Sequence, residues 1–141
     1  MSLDDIKRQF LEQVKLRAYD DKYIDKGEER EILQLALQMG VTVDSARSAL
    51  AQVCENNGYV LESSVLTAIK ELIEQFASND GQIDEKEFND AVAICKKKTM
   101  GRKNDVAVKR MVIEVIEDNA YKVKTGWFSN WYARVKKEVG A

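Results

Sequence analysis

Apolar residues recur every three to four positions along nearly the whole chain, which is the period of helices that each bury one face. Leu3, Ile6, Phe10, Val14 and Ala18 form the first such stripe, with Ser2 placed to cap the helix start. After a polar turn over Asp20 to Lys26, a second stripe of Ile32, Leu33, Ala36, Leu37 and Met39 ends at Gly40, a residue suited to a helix C-terminus. A third helix starts near Thr42 or Asp44, carries Ala46, Leu50, Val53 and Cys54 inward, and stops at Asn56, Asn57 and Gly58. The fourth begins near Ser63 and presents Val65, Ile69, Leu72, Ile73 and Phe76. Phe88, Ala91, Val92 and Cys95 define the fifth, and Val108, Met111, Val112, Val115 and Ile116 the sixth. A seventh amphipathic helix is expected over about 126–139, with Trp127, Phe128, Trp131, Tyr132, Val135 and Val139 on one face.

The second half repeats the first. Asp21, Ile24, Asp25 and Glu28 correspond to Asp80, Ile83, Asp84 and Glu87, each pair 59 positions apart. Met39 and Gly40 answer Met100 and Gly101 at an offset of 61, and Glu55, Asn57 and Tyr59 answer Glu117, Asn119 and Tyr121 at 62. Matches in one order across several elements predict a duplicated unit, about 3–60 and 62–122. The expected architecture is an all-α domain over residues 1–141, with two pseudo-symmetric three-helix units facing each other and the C-terminal helix added to them.

Composition narrows the chemistry. The 141 residues include no proline, so nothing forces a helix to stop by removing an amide donor, and no histidine, the commonest general base and transition-metal ligand. No glycine loop that could cradle phosphate and no nucleophile elbow accompanies the carboxylates, so an enzyme is not expected. Cys54 and Cys95 stand among apolar neighbours and are expected to be buried free thiols. The net charge of −2 divides unevenly: residues 1–90 carry 10 basic and 19 acidic side chains, residues 91–141 carry 12 and 5. This split can steer an anionic partner to the C-terminal half, although solvated helix faces give the same count. Without an apolar leader or a run of roughly 18 apolar residues, the expected compartment is the cytoplasm.

Two acidic turns, Asp21, Asp25 and Glu28 and then Asp80, Asp84 and Glu87, are the candidate metal ligands. The second resembles the later half of an EF-hand loop, where carboxylates wrap a hard cation and Gly81 permits the bend. The leading carboxylate is missing, since Phe76 and Arg17 stand at the two first positions and Lys22 replaces the glycine in the earlier copy. Asp25 with Glu28, and Asp84 with Glu87, also fit a capping box, so helix capping and cation binding both remain open.

The motif D-G-x-I-D-x-x-E, opening a helix after an apolar helix that ends in alanine, resembles the tellurite-resistance TerB-like family. That resemblance implies an all-helical, pseudo-symmetric module with acidic residues from both halves, a divalent-cation role and a link to stress responses. Carried over, it points to the same six carboxylates, with Lys22 departing from the motif. The resulting expectation is a non-enzymatic binding or sensing module holding Ca²⁺ or Mg²⁺ weakly, with the two turns approaching each other about the pseudo-two-fold axis. The alternative is a structural adaptor that contacts a protein partner or an anionic membrane through Trp127, Trp131, Tyr132 and Arg134, or through the basic stretch Lys96, Lys97, Lys98, Arg102 and Lys103. An aromatic face of this kind also fits simple docking on the core. Nucleic acid ranks below both, for want of a binding motif and of a basic overall charge.

Overall fold

A computed structural model describes residues 2–126 and 129–141. In chain order the elements are α1 (Leu3–Arg17), β1 (Tyr23–Ile24), α2 (Lys26–Gln38), α3 (Val43–Asn57), β2 (Val60–Leu61), α4 (Glu62–Ala77), β3 (Gln82–Ile83), α5 (Glu85–Lys98), α6 (Asp105–Asp118), β4 (Lys122–Val123) and α7 (Trp131–Val139). The protein is all-α, and its strands are two-residue clips. Among the described residues no helix is long and apolar enough to cross a membrane.

The chain divides into two compact units, Met1–Ser64 and Val65–Ala141, so α4 starts in the first and continues into the second. In the first unit α1 packs on α3 and α2, and Ile6, Phe10, Val14, Ile24, Ile32, Leu50 and Cys54 are among the residues of its core. In the second, Ile73, Ile83, Phe88, Cys95, Val112 and Ile116 are fully buried, α5 packs on α6, and α7 packs on α6. Leu3, at the head of the first stripe, is half exposed and lies outside the core.

The repeat extends to individual hydrogen bonds. Tyr23 and Ile24 pair in parallel with Val60 and Leu61, and their counterparts Gln82 and Ile83 pair in parallel with Lys122 and Val123. Asn57 Nδ2 donates to the Val53 carbonyl at 2.8 Å, and Asn119 Nδ2 to the Val115 carbonyl at 2.8 Å. Thr42 caps α3 through the Ser45 amide, as Asn104 caps α6 through the Ala107 amide. Each unit is therefore a helix, a clip strand, two helices and a second clip strand.

The C-terminal helix starts later than its apolar spacing predicts. Gly126 and Ser129 form an antiparallel bridge, and helical geometry begins only at Trp131. The indole N–H of Trp131 donates to the Lys124 carbonyl at 3.0 Å, which ties the start of the helix to the loop after β4.

Candidate functional site

The acidic turns sit where a clip strand passes into a helix. In the first, Asp21 Oδ1 accepts from the Tyr23 amide at 3.1 Å, Asp25 Oδ1 from the Glu28 amide at 2.8 Å, and Glu28 Oε1 from the Asp25 amide at 3.1 Å. In the second, Asp80 Oδ1 accepts from the Gln82 amide at 3.0 Å, Asp84 Oδ1 from the Glu87 amide at 2.7 Å, and Glu87 Oε1 from the Asp84 amide at 3.1 Å. Both are complete capping boxes preceded by an aspartate that closes the turn. One oxygen of each of the six carboxylates is thus committed to a backbone amide. Lys124 Nζ also lies 3.9 Å from Asp80 Oδ2.

Lys22 breaks the motif in sequence but not in backbone. Its φ is 51° where Gly81 has 74°, so both turns use the left-handed conformation and the lysine tolerates the steric cost. Lys22→Gly is expected to stabilise the chain by about 0.5–1 kcal/mol, the relief of strain exceeding the extra entropy of an unfolded glycine. Chemical denaturation would measure it, and a destabilised variant would mean that the lysine side chain contributes contacts outweighing the strain.

The four aspartates are exposed and the two glutamates half-buried. Burial, and then the neighbouring Asp25 and Asp21 carboxylates, push the Glu28 carboxyl above its ordinary value, against the opposing hydrogen bond from the Asp25 amide. Among the described residues, no three His, Cys, Asp or Glu side chains form a group ready to hold a metal ion.

Of the aromatic helix, Trp131 is 3% exposed and its ring lies 5.3 Å from that of Phe88. Tyr132 is half-buried and meets Phe88 edge-on at 6.4 Å, whereas Arg134 is exposed. Trp127 and Phe128 lie outside the described residues. The described aromatic face is turned into its own unit. Cys54 and Cys95 are both buried cysteines, and burial, followed by the Glu29 charge, pushes the Cys54 thiol up to about 12.

A second feature lies in the first unit, where α2, α3 and the first turn of α4 border a groove of about 440 Å³. Leu33, Leu37 and Val43 give it apolar walls, Arg30 and Arg47 also line it, and Glu29 lies in it as a buried carboxylate that accepts from Ser63 Oγ at 2.8 Å. The apolar stripe of α2 predicts neither groove nor carboxylate. The one signal in the sequence is that Glu29 occupies the register of Phe88, 59 positions on, one helical step before Ile32 and Leu33.

No family model, curated protein or solved structure matches this chain.

Proposed function

We propose that this chain is a non-enzymatic helical binding module, TerB-like in kind, whose acidic turns serve first as helix caps and take a hard divalent cation weakly through the carboxylate oxygens that the caps leave over. The observation that carries the cation reading is the crowding at the first turn. Burial first, and then the charges of Asp25 and Asp21 on the same turn, raise the Glu28 carboxyl, and a divalent ion relieves the repulsion among the three carboxylates. All-oxygen ligation favours Ca²⁺ or Mg²⁺. Because no ready three-ligand group stands in either turn, binding requires side-chain rearrangement, and the affinity expected is roughly millimolar, as in weak calcium modules.

The raised Glu28 carboxyl sets a pH signature. A group whose folded pKa exceeds its unfolded value contributes stability below the unfolded pKa and loses it as pH rises through the folded one. Glu28→Gln keeps the capping geometry without the charge, so it should match the parent at about pH 3 and melt higher at neutral pH. Calorimetric titration of chelator-treated protein with Ca²⁺ and then Mg²⁺ tests the cation itself. Saturable heat that disappears in the Asp25→Asn, Asp84→Asn double variant supports the proposal, and no heat from the parent rejects the cation role.

A further inference from the structure

We propose that the α2/α3 groove of the first unit docks a short amphipathic helix from an acidic protein partner, seated as α7 seats on α5 and α6 in the second unit. The repeat supplies the template. One end of α7 is fixed where Trp131 packs against Phe88, and the other where Glu138 pairs with Lys109 at 3.2 Å. The counterparts of Phe88 and Lys109, at offsets of 59 and 62, are Glu29 and Arg47, and both line the open groove.

Connectivity explains why the groove is open. In the second unit a seven-residue segment, 124–130, separates β4 from α7 and lets that helix fold back over α5 and α6. In the first, α4 follows β2 without a break, reaches the groove only through Ser63, and leaves for the second unit from Val65 onward. Leu37 and Val43 are consequently 46% and 39% exposed.

Charge selects the occupant. Among the described residues neither Arg30 nor Arg47 has an ion pair or side-chain hydrogen bond, so the groove combines an apolar floor with two unmatched guanidiniums. A helix with apolar residues at three- and four-residue spacing, flanked by Asp or Glu, matches both features. Over Glu29 it would set a small or hydrogen-bond-donating residue in place of the indole that α7 sets over Phe88. Another copy's α7 is a poor match, because Arg134, Lys136 and Lys137 would bring cations to the arginines.

The test is selection of displayed random peptides of about 16 residues against the full chain, followed by affinity measurement on the parent and on Arg47→Glu and Leu37→Asp. Enrichment of acidic amphipathic sequences that bind at least about tenfold more weakly to Arg47→Glu supports the proposal. Circular dichroism melts of both variants, at exposed positions, check that the fold persists. No enrichment, enrichment of basic or extended sequences, or equal binding to both variants overturns it. So does a concentration-dependent dimer that sedimentation shows to be lost in Arg47→Glu, which would assign the groove to a second copy.

Discussion

Replacing Trp131 by alanine is expected to cost about 3–5 kcal/mol of folding stability, the usual range for removing a buried Trp or Phe side chain. The indole is 3% exposed, packs at a tilt of 49° against the fully buried Phe88, and donates to the Lys124 carbonyl at 3.0 Å. Helix α7 has nine residues, too few to persist in water on its own, so it depends on tertiary contacts. Lys109–Glu138, Lys136–Glu117 and the Arg110 bond to the Val139 carbonyl are polar and partly exposed, and each contributes little. Apolar anchoring therefore rests on Trp131 at one end and Val139, 1% exposed, at the other. Loss of the first should free the helix and expose Phe88. Trp131→Phe keeps an aromatic ring against Phe88 and loses the indole hydrogen bond, so it should fall only about 1 kcal/mol below the parent. Urea unfolding followed by far-ultraviolet circular dichroism measures both. A Trp131→Ala chain as stable as the parent would mean that the aromatic helix is a surface device and not part of the core.

Most of the architecture is legible because its causes are local. Three- and four-residue spacing locates every helix, and the residues that stop or start one (Thr42, Gly58, Asp25, Asp84) lie next to the boundary they set. The duplication is legible because parts of it fix backbone geometry: Gly40 and Gly101 both take the left-handed conformation just past α2 and α5, and Asn57 and Asn119 make the same bond to the carbonyl four residues back. The clip strands are not legible, since two residues cannot show alternation, and Tyr23 pairs with Val60 from the far side of two helices. The late start of α7 escapes the pattern as well, because Trp127 and Phe128 continue the apolar spacing of Trp131 and Tyr132 in sequence, whereas Gly126 and Ser129 form a bridge and the helix begins at Trp131. The groove depends on the course of α4 after Ser63, a property of topology. Only Glu29, acidic where the repeat has Phe88, hints at it from the sequence.

For the acidic turns, the discriminating substitution exchanges cap chemistry and charge separately. Asp25→Ala removes the acceptor for the Glu28 amide, and Asp84→Ala the acceptor for the Glu87 amide, each expected to cost about 1 kcal/mol within a range of roughly 0.5–2. The two boxes belong to different units and share no hydrogen-bond partner, so the double variant should lose about 2 kcal/mol, the sum of the singles. Asparagine caps as well as aspartate, so Asp25→Asn and Asp84→Asn should stay within a few tenths of a kcal/mol of the parent in chelator. A ligated cation stabilises the folded chain by mass action, an increment that needs the carboxylate charge. Added Ca²⁺ should therefore raise the melting temperature of the parent and leave the asparagine double variant where it was. If the alanine variants lose stability, the asparagine variants do not, and Ca²⁺ moves none of them, capping accounts for both turns without a cation. If alanine costs nothing, the hydrogen bonds at 2.8 and 2.7 Å do not stabilise the helix starts, and capping fails as the reason for the repeated aspartates.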